Sequence, residues 1–196
     1  MSGWTEFRDE AIEQAETLAQ KALALDPATT SAYRLLAIIN MHRRRYDLAL
    51  GQIDRAIEIN PSDAESYAYR GNILSWAGRA AEALPWLEGA LRFDRAHALA
   101  SQHLCMAYYF LGRCGEAIEA GDRAVARSPG RTIQTMTHPV LAAAYAEMGR
   151  DQDAKGERAI VARLSPFFSA ERFASQFGTQ ETRDHMLEGL KKAGFH

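Results

Sequence analysis

The sequence has little of what covalent or catalytic chemistry needs. Its 196 residues include only two cysteines, Cys105 and Cys114, so no disulfide framework is expected and a reducing compartment fits. It contains no phosphate-binding glycine loop with Lys-Ser/Thr, no paired-histidine zinc motif and no Gly-x-Ser-x-Gly turn. None of its six histidines stands one helical turn from a cysteine or a second histidine. We therefore expect no enzymatic activity, no metal site and no cofactor.

Long apolar runs and an excess of one charge are also missing. The longest apolar stretch, residues 140–146, is far shorter than the ~20 residues of a membrane helix. The first residues show no basic patch followed by an apolar run, so no signal peptide is expected. The net charge of −2 provides no general attraction for nucleic acid. These absences predict a cytoplasmic protein that binds neither a membrane nor nucleic acid.

What the sequence does contain is one residue pattern that returns every 34 residues. This step accommodates two helices of about 14 residues and two short turns. Alanine allows two helices to approach closely, proline stops a helix, and glycine permits a left-handed turn between helices. The pattern is carried by Ala15, Ala49, Ala83 and Ala117, by Ala22, Ala56, Ala90 and Ala124, by Pro27, Pro61 and Pro129, and by Gly78 and Gly112. Arg95 stands in the one proline position that is not kept.

These positions, together with bulky residues such as Tyr33, Leu36, Tyr67, Leu104 and Tyr145, resemble the tetratricopeptide repeat (TPR) family. The resemblance implies an all-α fold, a right-handed superhelical solenoid of antiparallel helix pairs closed by a C-terminal helical cap. The implied organisation is a TPR array at 1–166 and capping helices at 167–196. The array divides into a half unit at 1–29, with one intact helix at roughly 9–25, and units at 30–63, 64–97, 98–131 and 135–166.

The last full unit arrives three residues late, because Ala117 and Ala154 are 37 residues apart. The extra residues fall in the stretch PGRTIQTMTHPV, and we expect them to form a longer loop. In that arrangement Thr137 or His138 caps the next helix and Pro139 lies in its first turn, where proline is tolerated.

After Pro166 the repeat ends and two amphipathic helices are predicted. Four phenylalanines are expected to cover the apolar end of the last unit, as capping segments of solenoids do: Phe167, Phe168, Phe173 and Phe177. The tail, with FSAERFA followed by MLEGLKKAGF, also resembles the end of the TPR regions attached to bacterial class III adenylate/guanylate cyclases. That resemblance implies a regulatory or oligomerisation module of a bacterial nucleotide-cyclase-like signalling protein.

The TPR resemblance further implies a binding surface, since in this family the first helix of each unit lines a concave groove. The groove positions are Arg34, Ile38, Met41, Asn72, Trp76, Gln102, Met106, Tyr109 and Phe110. Some members bind a peptide C-terminus through a clamp of polar groups, but here Ile38, Gln102 and Met106 replace part of it. We expect a scaffold for a protein or peptide ligand; the alternative is a homo-oligomer formed by stacking of exposed end units.

Overall fold

A computed structural model describes the backbone of residues 3–128 and 130–195 and the side chains from residue 10 onward. Within these ranges the chain forms eleven helices and no strand. The helices are α1 (Gly3–Leu25), α2 (Thr30–His42), α3 (Tyr46–Ile59), α4 (Ala64–Trp76), α5 (Ala80–Phe93), α6 (Ala98–Phe110), α7 (Cys114–Arg127), α8 (Arg131–Glu147), α9 (Asp151–Leu164), α10 (Ala170–Ala174) and α11 (Gln180–Lys192). None of them is long and apolar enough to cross a bilayer.

Helices α2 to α9 pack as four consecutive antiparallel pairs, which confirms the predicted fold class. The first helices of successive pairs contact one another, from α2 through α4 and α6 to α8. Between described residues of successive second helices, from α3 to α9, there is no such contact. The first helices therefore form the inner layer of the solenoid, and the second helices form its outer layer.

The repeated alanines lie where the helices meet. Those in α3, α5 and α7 are fully buried: Ala49, Ala56, Ala83, Ala90, Ala117 and Ala124. Their counterparts in α1, Ala15 and Ala22, are only half-buried, because α1 packs on α2 alone among the described helices. Helix α1 begins at Gly3, so it is longer than the predicted 9–25.

The turn inside each pair uses a left-handed residue, as the glycine series predicts. Gly78, Gly112 and Gly149 have φ angles of 79°, 69° and 71°. In the first pair the same position is occupied by Arg44, whose φ is 59°. An L-residue with a side chain bears a penalty of about 1–2 kcal/mol in this conformation, which glycine avoids.

The loop predicted before the late unit is wrong. Helix α8 begins at Arg131, directly after Gly130, so the extra residues lengthen the helix to 17 residues. The Arg131 guanidinium donates to the Leu164 carbonyl oxygen at the end of α9, and the Thr137 hydroxyl donates to the Ile133 carbonyl oxygen. These bonds stabilise the added turn. Because the helix begins at Arg131, Pro139 lies inside it and not in its first turn. Pro129, the predicted helix stop, lies outside the described residues.

The C-terminal helices cap the last unit of the solenoid, as predicted, and only Phe167 departs from the expectation. Helix α11 packs on α6 and α8, on the inner layer. Phe173 and Phe177 are buried, whereas Phe167 is 93% exposed. The chain after α11 also reaches the outer helix α9, where the Arg158 guanidinium donates to the Gly194 carbonyl oxygen at 2.7 Å.

Candidate binding site on the inner face

The nine groove positions predicted from the sequence all lie on the inner helices α2, α4 and α6. Most of them are buried, namely Met41, Asn72, Trp76, Gln102, Met106 and Tyr109. The other three, Arg34, Ile38 and Phe110, are half-buried. The inner face is therefore not one open groove. Part of it is covered by residues 175–193 of the same chain, which we call the C-terminal segment.

An aromatic pocket holds the start of the C-terminal segment. The Phe177 side chain is fully buried, with its ring centroid 4.9 Å from that of Phe110, 5.7 Å from Trp76 and 5.9 Å from Phe173. The Gly178 amide donates a hydrogen bond of 2.8 Å to the Trp76 carbonyl oxygen at the end of α4. A non-helical stretch of polypeptide thus binds the inner face through one apolar side chain and one main-chain hydrogen bond.

A polar cluster centred on Glu147 holds α11. The Tyr109 hydroxyl donates to Glu147 Oε1 at 2.6 Å, the Cys114 thiol donates to Oε2 at 3.3 Å, and His185 Nε2 lies 3.3 Å from Oε1. The His185 ring also stacks on Tyr109, with centroids 4.7 Å apart. Helix α11 approaches so closely here that a Cβ on Gly189 would collide with the Tyr109 hydroxyl oxygen.

The titration of this cluster follows from these contacts. The hydrogen bond that His185 donates to Glu147 raises the pKa of His185. Burial favours the neutral form of Glu147, but hydrogen bonds from His185, Tyr109 and Cys114 outweigh it and lower the Glu147 pKa. Burial raises the pKa of the Cys114 thiol to about 11, so it remains protonated near neutral pH. The cluster holds the segment in place and contains no activated nucleophile.

The polar residues expected to meet a ligand are engaged or enclosed. Arg34 lies 2.5 Å from Asp63 and 3.1 Å from Glu65, so its charge is neutralised at the start of α4. The side-chain oxygens of Asn72 and Gln102 are buried and have no hydrogen-bond partner among the described residues. Buried acceptors without a donor are rare in folded proteins. They mark the part of the inner face where a donor from a ligand would be most favourable.

Sequence reasoning missed a cleft of about 490 Å³ beside the C-terminal segment. One wall carries His42, Arg44 and Trp76, from the ends of α2 and α4 and the turn after α2. The other wall is formed by α10 and its flanks, including Phe168 and Arg172. We call this cavity the basic cleft. The one signal for it in the sequence is Arg44, an arginine where the next two units have glycine.

The fold and its inner layer define a helical-repeat protein. The family model for the tetratricopeptide repeat matches residues 1–64 and 43–98, which together make up half of the chain. The chain belongs to the tetratricopeptide repeat family. No curated protein matches the sequence.

Solved structures support the same fold. PilW, a type IV pilus biogenesis factor, is similar with a TM-score of 0.71 and 21% identity, over 93% of this chain and 86% of PilW. TTC0263, a TPR protein of Thermus thermophilus, is similar with a TM-score of 0.70 and 21% identity, over 89% of this chain and 94% of TTC0263. YrrB, a TPR protein with an unusual peptide-binding site, is similar with a TM-score of 0.57 and 19% identity, over 82% of this chain and 81% of YrrB. At these identities the similarity establishes the fold alone, and it confirms the predicted all-α TPR solenoid.

Proposed function

We propose that this protein is a scaffold that binds a peptide or protein segment on its inner face. The observation that carries the proposal is the seating of Phe177 and Gly178, in which an aromatic anchor and a main-chain hydrogen bond hold non-helical polypeptide. Side-chain pockets combined with main-chain hydrogen bonds are a recurring mode of peptide recognition. The peptide-binding site of YrrB, which has the same fold, supports the same use of the surface.

The proposed surface has two parts. Around Trp76, Tyr109 and Phe110 it is occupied by the C-terminal segment, and a ligand there would have to displace that segment. Around Ile38 and Asn72 the helices α2 and α4 make no contact with α11 among the described residues, although Asn72 itself is buried. A ligand with a main-chain or side-chain donor would satisfy the Asn72 oxygen after a small side-chain rotation.

Peptide selection followed by mapping tests the proposal. Peptides selected from a random library on the immobilised full chain are added to isotope-labelled protein, and amide shifts are followed by NMR. We expect the shifts on α2, α4 and the residues facing them, and weaker binding in Ile38→Glu. Leu48→Glu is the matched control, because Leu48 is 57% exposed on the outer helix α3 and the charge change is the same. Shifts confined to the outer helices would contradict the proposal.

Self-association is a second candidate function, favoured by apolar side chains on α1. Leu18 is 64% exposed and Leu25 is 88% exposed, on a helix that contacts α2 alone among the described helices. Light scattering over a wide concentration range tests this, and a strict monomer at high concentration would exclude it.

The cyclase-type origin of the tail and the cytoplasmic location stay predictions.

A further inference from the structure

The basic cleft has an unbalanced charge. Arg44 and Arg172 both line it, and no aspartate or glutamate is among its described lining residues. The Arg44 guanidinium donates to the Ser175 carbonyl oxygen at 2.6 Å, and Arg172 makes no side-chain hydrogen bond or ion pair with described residues. The neighbouring carboxylate, Glu171, lies outside the lining and accepts from the Ser169 hydroxyl at 2.9 Å. Two guanidinium groups therefore reach this space without a carboxylate partner.

The backbone supplies a second, independent observation. Arg44 takes the left-handed turn position that glycine holds in the other three pairs. Residues held in such a conformation store strain, and strained residues concentrate at functional sites. The exchange of glycine for arginine places a cationic side chain in the lining of the cleft. At the same position of the other three turns there is only a glycine.

Aromatic side chains lie beside these charges in a lining that also carries serines and a glutamine. Trp76 and Phe173 are buried at the cleft, and Phe168 packs on Phe173 with ring centroids 5.6 Å apart. Phe167, at the rim, is 93% exposed. An exposed aromatic side chain in the same cleft as arginines that have no carboxylate partner is a combination that is enriched at protein interfaces.

We propose that the basic cleft binds an acidic peptide segment that also carries an apolar side chain. This inference rests on the proposed scaffold function and specifies its ligand. Carboxylates of the peptide meet Arg44 and Arg172 in charge-assisted hydrogen bonds, and the apolar side chain packs between Trp76 and the phenylalanines of the opposite wall. Only Ser175 and Gln176 of the C-terminal segment line the cleft, so the peptide can bind while the segment stays docked.

The test uses the full chain and two synthetic probes. One is a fluorescein-labelled peptide of sequence Gly-Glu-Asp-Phe-Glu-Asp-Gly, and the other has Gln and Asn in place of Glu and Asp. Fluorescence anisotropy should show binding of the acidic peptide, weakening as salt is raised because partly exposed charges are screened. Arg172→Glu and Arg44→Gly should each weaken binding roughly tenfold, the effect of one charge-assisted hydrogen bond.

The variants are chosen so that failure to fold does not confuse the result. Arg44→Gly restores the residue that the other three turns use, so the array should tolerate it, but it also removes the hydrogen bond to Ser175. Arg172→Glu breaks no side-chain bond among the described residues, so this variant carries the test. Arg95→Glu is the control for Arg172→Glu, since it makes the same charge change in the exposed turn between α5 and α6 and should leave binding unchanged. Equal binding of the two probes, or an equal loss in Arg95→Glu, would overturn the inference.

The scaffold proposal can fail separately. If the acidic probe does not bind but library-selected peptides still shift α2 and α4, the basic cleft is not the site and the scaffold function stands. If no peptide of either kind binds, both proposals fall.

Discussion

Replacing Phe177 by alanine should release the C-terminal segment from the inner face. The side chain is fully buried among three aromatic rings at 4.9–5.9 Å. Truncation of a buried phenylalanine to alanine costs about 3–5 kcal/mol, from lost transfer free energy and the cavity that remains. Aromatic pairs of this geometry contribute about 0.5–1.5 kcal/mol each beyond their buried area, which places the change in the upper part of that range.

The loss should fall on the segment and not on the array. The segment packs on the inner layer from one side, whereas α2 to α9 pack on one another independently of it. Hydrogen exchange measured by mass spectrometry should therefore show faster exchange in α11 and at Gly178, with α3 to α7 unchanged. Urea unfolding should show an added early transition, or a lower midpoint if the segment and the array unfold together.

Phe167→Ala is the matched control, because the same substitution is made three residues before α10 at a side chain that is 93% exposed. Exposed substitutions usually change stability by less than about 0.5 kcal/mol. If Phe177→Ala and Phe167→Ala have the same exchange pattern and the same midpoint, the Phe177 pocket does not hold the segment and the reasoning is wrong.

Two other predictions concern the same segment. Gly78→Ala should lower the thermal unfolding midpoint more than Gly112→Ala. Both glycines have positive φ, but only at Gly78 would the new Cβ meet Thr179, at 2.7 Å. An equal decrease of the midpoint in the two variants would contradict that contact. The urea midpoint of the segment should be highest between pH 4.5 and 6.5, the ordinary pKa values of Glu and His. The raised pKa of His185 means that its contribution is complete below 6.5 and lost as pH rises, and the lowered pKa of Glu147 means that its contribution is complete above 4.5 and lost as pH falls. In His185→Gln the alkaline decline should be absent, and a decline that persists would exclude this ion pair as its cause.

The features of the fold that local chemistry dictates could be predicted from the sequence. The spacing of Ala49, Ala83 and Ala117 fixed which faces are buried, and Gly78 and Gly112 fixed the left-handed turns, because each of these residue types has a steric reason to be where it is. The inner helices followed from the family pattern, so the groove positions were assigned to the correct layer of the solenoid.

What depends on packing between distant parts of the chain could not be predicted. Whether three extra residues form a loop or a helical turn depends on partners such as Leu164, which is far from Arg131 in sequence. The position of Phe177 depends on an aromatic pocket more than sixty residues away, at Trp76 and Phe110. No local pattern distinguishes a phenylalanine that covers the end of an array from one that fills its inner face.

The occupied inner face determines where a ligand of ordinary affinity can bind. If the Phe177 contact contributes at least about 3 kcal/mol to docking, the uncovered state is populated at roughly 1% or less. A peptide that must displace the segment then binds at least about a hundredfold more weakly than it would bind the bare surface. Moreover, the segment is tethered, so its effective concentration at the inner face is of the millimolar order. A partner that uses the basic cleft bears neither of these two costs, because it binds beside the docked segment and does not displace it. For this reason Arg172, and not Tyr109, is the side chain whose substitution should change binding without first loosening the segment, whereas Arg44 also holds Ser175 of that segment.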